Sequence, residues 1–161
     1  MPTVHSRVRE ALDRSDLDVT VHEHASLPGP IRSPQDFADA LGYSLDRITK
    51  SVFLRARSGT THAVAVCAMG RKLDMAQVSA IVGAGRMELA GPDELARVLD
   101  YPRHGVSPLG VPATVMVVVD EGLLVEPTVL VGAGAAGVEV EVAPRDLVAA
   151  AGAVVADIAL G

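Results

Sequence analysis

The chain has almost no aromatic residues: two Tyr, two Phe and no Trp among 161 residues. A platform that grips single-stranded nucleic acid by stacking needs several aromatic faces, so this composition argues against one. There is a single cysteine, Cys67, which excludes an internal disulfide and any cysteine-rich zinc site. It lies in the apolar run Ala63 to Ala68, where nothing nearby would lower its pKa. A buried, inert thiol and a reducing cytoplasm are therefore expected. No run of about twenty apolar residues occurs, so no membrane span is expected. Met1 to Arg14 is charged and lacks an apolar centre, so no signal peptide is expected either.

What the chain has in quantity is small aliphatic mass. Hydrophobic residues make up 49%, mostly Ala, Val and Leu. That supports one core in one domain, residues 1–161, with no disulfide or metal staple. The net charge is −6, but it is unevenly spread. Leu45 to Gly110 carries nine Lys and Arg against six acids, a local +3 that leaves −9 for the rest. A local basic patch is enough for contact with one end of a nucleic acid. An ordinary mixed-charge surface has the same balance.

The periodicities alternate between 3.6 and 2. Residues 3–15 read as a helix with Val4, Val8, Ala11 and Leu12 on one face. Val19 to His24 reads as a strand, and Leu27 to Pro30 as a loop. Ser33 followed by Pro34 opens a helix that Gly42 ends. Ile48 to Arg57 and Thr61 to Ala68 flank Ser58-Gly59-Thr60 and predict a hairpin. Asp74 to Val82, Pro92 to Leu99 and Pro144 to Ala150 read as helices. Val115 to Val119, Thr128 to Val131 and Val138 to Val142 read as strands, with Val154 and Val155 as a closing one. The Val-Glu-Val-Glu-Val of 138–142 predicts one wet face. Hairpins mixed with scattered helices predict a mixed α/β (α+β) domain rather than a doubly wound one.

Gly132 to Gly137 satisfies G-x-G-x-x-G after a strand. A dinucleotide site would need a helix to follow, and a period-two strand follows instead. A glycine turn joining two strands, with backbone N–H groups facing a pocket, fits better. His22 and His24 share a strand face and could hold a metal, but no third ligand is signalled, so no metal is expected. Lys50 opens an apolar strand, where it pays a desolvation penalty unless an anion meets it. A lysine snorkelling at a strand edge is the plain alternative. Tyr101 to Gly110 is long for a connector, and ordered loops of that length are often functional.

Five segments occur in a familiar order: Ile48 to Val52, Arg71 to Asp74, Tyr101 to Gly110, Val119 to Glu121, and Gly132 to Val140 with Asp146 and Leu147. Over about residues 19–159 the chain resembles the YbaK/prolyl-tRNA synthetase editing-domain family. The resemblance implies a curved, mixed, largely antiparallel sheet wrapped by helices, with a cleft. It implies hydrolysis of the ester joining an amino acid to the terminal adenosine of tRNA. The substrate would be a mischarged tRNAPro, or a related tRNA, carrying Ala, Cys or Ser. The acceptor end of aminoacyl-tRNA would be the partner, with a synthetase as a further one. No cofactor, membrane or DNA is implied.

The family's lysine matches Lys50, which would anchor the adenosine end through phosphate or ribose. Its G-x-x-x-P loop falls on His104 to Pro108. Gly105, Ser107 and Pro108 fit the pattern, but His104 stands where the family has glycine, which bears on specificity and activity. His104 would contact the substrate or narrow the pocket, and Gly132 and Gly134 would form the facing wall. Asp120 and Asp146 also match, with capping roles equally available. No Ser-His-Asp or Cys-His set is implied. The ester is already activated, the ribose 2′-hydroxyl helps orient water, and the protein positions both. The alternative is a non-catalytic module of the same fold that binds tRNA or a synthetase.

Overall fold

The structure, a computed structural model, describes residues 3–161. In chain order its elements are α1 (Ser6–Arg14), β1 (Thr20–Glu23), α2 (Pro34–Leu41), β2 (Thr49–Ala56), β3 (His62–Ala68) and β4 (Lys72–Leu73). There follow α3 (Met75–Val82), β5 (Met87–Leu89), α4 (Pro92–Leu99), β6 (Met116–Asp120) and β7 (Val129–Gly132). The chain ends with β8 (Val138–Val142), α5 (Pro144–Ala151), β9 (Val154–Ala156) and β10 (Ala159–Leu160). No helix among the described residues is long and apolar enough to cross a membrane.

Local chemistry sets the helix ends. The Ser33 side chain accepts the Asp36 N–H, Pro34 takes the first helical position, and Gly42 ends α2 in the left-handed conformation at φ 72°. Such a cap is worth about 1 kcal/mol. Helix α1 starts later than its periodicity predicts because His5 caps it. The His5 ring accepts the Arg7 N–H, and its backbone N–H donates to the Ala133 carbonyl.

The predicted hairpin forms, with β2 and β3 antiparallel from Thr49 opposite Ala68 to Arg55 opposite His62. Strand β3 is buried along nearly its whole length, so it sits mid-sheet, and β6 pairs with it in parallel. With β5 and β9 at the edges the order is β5-β2-β3-β6-β9. A three-stranded antiparallel sheet, β1-β8-β7, stands beside it, and β10-β4 forms a short third pair. Strands β4, β5 and β10 span three residues or fewer, too short to show alternation in sequence.

The main core lies on one face of the larger sheet. There Val64, Val66, Val117 and Val119 meet α1, α4, α5 and the valines of β7 and β8. A second core, with Ala63, Ala65, Val118 and Ile158, packs under α3. Each fully buried valine contributes roughly 1.5–3 kcal/mol. Cys67 lies inside with 0% exposure, and burial pushes its thiol pKa up.

Two loops shape the region where the sheets meet. Gly132 to Gly137 is the turn of the β7–β8 hairpin, as its period-two flanks predict. The 101–112 loop lies directly on it. A Cβ placed on Gly132 would sit 2.2 Å from the Val106 carbonyl oxygen, and one on Gly105 would sit 2.8 Å from the Ala135 backbone. Only glycine allows that approach. The long loop is braced internally: the buried Tyr101 hydroxyl donates to the Leu109 carbonyl, and Ser107 Oγ accepts the Leu109 N–H at 3.1 Å. Burial pushes the Tyr101 pKa well above its ordinary value, so the phenol stays protonated and donating.

Gly132→Ala should therefore force the loops apart, at a cost of about 1–3 kcal/mol in chemical denaturation. Gly59→Ala, where an added Cβ meets nothing within 4 Å, should stay within about 0.5 kcal/mol of wild type. Equal stability of the two variants would contradict this packing.

Candidate functional site

Where β2 begins, the two sheets meet. Ile48 makes a single parallel bridge to Leu130, and Thr49 Oγ1 donates to the Leu130 carbonyl at 2.7 Å. A cavity of about 490 Å³ opens at this junction. One wall is the start of β2, Ile48 to Ser51, together with Met69. Arg103, His104 and Val106 of the long loop form another, beside Gly132. Gly137, Val138, Glu139 and His24 form the third. The segment Ile31 to Pro34 and Phe37 of α2 close the side.

The cavity is cationic although the chain is acidic. Among the described residues its walls hold Arg32, Lys50 and Arg103, the imidazoles of His24 and His104, and one carboxylate, Glu139. The N-terminal end of α2, at Ser33 and Pro34, adds a partial positive charge. Lys50 lies between Thr49 and Ser51 at the start of β2, and all three line the cavity. Its ammonium donates to the Arg71 carbonyl. The buried Ser51 hydroxyl has no hydrogen-bond partner among the described residues.

The glutamate face of β8 is not wet, contrary to the alternation-based expectation. Phe37 of α2 lies over it beside the histidines of the β1 side, and the Glu139 and Glu141 side chains are only 15% and 14% exposed. Each meets an imidazole of β1 or the turn after it: His24 Nε2 lies 2.7 Å from Glu139, and His22 Nε2 lies 2.8 Å from Glu141. Phe37 packs against both rings. The two histidines that could have held a metal are thus each engaged by a carboxylate. Glu141 also accepts from Tyr43 and Thr128, and Arg47 lies 3.4 Å away while stacking on the Tyr43 ring. Burial raises the Glu141 pKa, but the hydrogen bonds from Thr128, His22 and Tyr43 outweigh it and hold it below the usual range. At Glu139 burial outweighs the His24 hydrogen bond and the nearby His22 ring, and the pKa is raised.

Of the residues singled out from sequence, Lys50, His104 and Gly132 come together on this cavity. Gly105, Ser107, Pro108 and Gly134 are not part of its lining. They lie behind it: Ser107 is fully buried, and a Cβ on Gly134 would strike the His5 side chain at 2.4 Å. Asp120 is a buried structural carboxylate whose Oδ1 accepts the Ile158 N–H. Asp146 lies in the first turn of α5. The reading from sequence passed over Arg32, Ser51, Arg103 and Glu139. Glu139 had a signal: a Glu-x-Glu strand and a His-x-His strand are complementary when paired antiparallel.

The cationic cavity thus sits at the junction of the two sheets, beside the contact between the long loop and the glycine turn. The chain belongs to the aminoacyl-tRNA editing domain family, whose model matches residues 28–150. It is 28% identical over 117 residues to the prolyl-tRNA editing protein ProX of Acetoanaerobium sticklandii, covering 70% of this chain and 69% of that one. The crystal structure of a hypothetical protein, APE2540, superposes with a TM-score of 0.83 at 28% identity, over 96% of this chain and all of that one. A crystal structure described as a candidate trans-editing enzyme for prolyl-tRNA synthetase superposes with a TM-score of 0.82 at 28% identity, over 96% of each chain. The mixed α/β fold is that of these structures.

Because its folded pKa is depressed, Glu141 contributes stability that is present above its unfolded pKa of about 4.3 and lost as pH falls through the folded value. Wild type should therefore lose more stability than Glu141→Gln between about pH 5 and pH 3 in thermal melts. Parallel losses would contradict this role for Glu141.

Proposed function

We propose that this chain is a trans-editing aminoacyl-tRNA deacylase. In this reading it hydrolyses the ester between a wrongly attached small amino acid, such as Ala, Cys or Ser, and the terminal adenosine of tRNAPro or a related tRNA. One observation carries the reading: in a chain of the editing family, Lys50, His104 and Gly132 line one cationic cavity of ligand size. The similarity to ProX and to the candidate prolyl-tRNA synthetase trans-editing structure supports the tRNA, and a synthetase as a further partner.

The aminoacyl ester is already activated, so the protein's task is placement. Lys50 and Arg103 take the phosphate and ribose of the adenosine end. The ribose 2′-hydroxyl orients the attacking water. Backbone N–H groups of the apposed loops, beside Val106 and Gly132, meet the developing oxyanion. Gly105, Ser107, Pro108 and Gly134 keep those loops in register from behind.

His104 favours a second reading. It lines the cavity at the position where the family pattern has glycine. Its imidazole takes up space that glycine would leave open, and an oxyanion donor displaced by it would cost about 3 kcal/mol, roughly a hundredfold in rate. A chain so altered could keep tRNA binding and lose turnover.

The test is a panel of mischarged tRNAs: Ala-tRNAPro, Cys-tRNAPro, and Ser- and Thr-charged species. Wild type should deacylate at least one. Lys50→Ala should slow it by about a hundredfold or more while melting like wild type. Unchanged turnover in that variant would remove Lys50 from the mechanism. Tight tRNA binding with no deacylation of any species would favour the non-catalytic reading.

A further inference from the structure

The cavity holds one acidic group among several cations, and phosphate anchoring leaves that group without a task. Among the described residues Glu139 is the only carboxylate in the walls, beside Arg32, Lys50 and Arg103. It stands directly opposite Gly132 in the β7–β8 register, on the same face, so it emerges next to the contact between the two loops. Its neighbour two residues on makes the contrast. The Glu141 carboxylate accepts from Tyr43, Thr128 and His22, with Arg47 near, and takes no part in the wall. Glu139 has one side-chain partner among the described residues, His24. A carboxylate offers about four acceptor sites, so most of its capacity is free. A buried carboxylate facing a cavity with most of that capacity unused suits a cationic ligand group.

We propose that Glu139, positioned by His24, receives the α-ammonium of the aminoacyl group, so that the protein selects esters with a free amino group over N-acylated ones. This rests on the deacylase reading and names the substrate feature it selects. The substrate has opposite charges at its two ends. Its phosphodiester meets the cations of the β2 and long-loop walls. Its amine, cationic below a pKa of about 8, meets the one anion on the β8 wall. The ester between them lies against the apposed loops. N-acyl or peptidyl groups in place of the ammonium would leave Glu139 buried without its partner.

Two non-hydrolysable probes test this: 3′-alanylamino-3′-deoxyadenosine 5′-phosphate and its N-acetyl derivative. Alanine is small enough for any pocket that takes a larger side chain. Titration calorimetry on wild type should give at least about tenfold tighter binding of the free amine, the value of one charge-assisted hydrogen bond. In Glu139→Gln the two probes should bind within about twofold of each other, with the N-acetyl probe bound as in wild type. Equal binding of both probes by wild type would overturn the proposal and leave the deacylase reading intact. A preference that persists in Glu139→Gln would also overturn it. Failure of wild type to bind either probe would bring down the deacylase reading and this inference with it.

Discussion

The site depends on two backbones touching. The Val106 carbonyl rests on Gly132, and Gly105 rests on the Ala135 peptide, at separations that leave no room for a side chain. That contact fixes the 101–112 loop against the β7–β8 turn, and the cavity is the space left between this seam and the start of β2. Most of the surrounding structure serves the seam. Tyr101 ties the loop across its span to Leu109, and His5 donates its backbone N–H to Ala133 on the far side of the turn. Loops held this way keep their backbone dipoles in place, which is what the proposed deacylase reading asks of them.

The second constraint is charge. A chain of net charge −6 gathers Arg32, Lys50 and Arg103 around one cavity and leaves its acids elsewhere. The exception is Glu139, carried on β8 two residues from the buried Glu141. Burying two carboxylates is costly unless they are partnered, and β1 supplies an imidazole for one and the turn after it supplies an imidazole for the other. The same strand thus carries a structural pair at Glu141 and a pair open to the cavity at Glu139. The outward side of the small sheet is thereby sealed, while its inner valines join the main core.

Much of this was legible in the residues. The capped helix from Ser33 to Gly42 and the hairpin around Ser58 to Thr60 follow from local rules, because caps and turns are decided by neighbours in sequence. The glycine motif was correctly read as a turn, since the strand after it alternates. The convergence of Lys50, His104 and Gly132 was an expectation carried by family resemblance; no periodicity encodes it. The wet-face expectation for 138–142 failed because alternation shows only that two faces differ. It cannot say whether the polar face meets water or another polar strand. The short strands β4, β5 and β10 escaped for a related reason: long-range pairing, not local preference, makes them strands.

The most direct test of the proposed site is the location of the ligand. Amide resonances of ¹⁵N-labelled protein should be followed while 3′-alanylamino-3′-deoxyadenosine 5′-phosphate is added. Shifts concentrated at Lys50, Val106, Gly132 and Glu139 are the predicted result. Shifts concentrated instead at Arg57, Arg86 and Met87, which line a separate cavity, would contradict it.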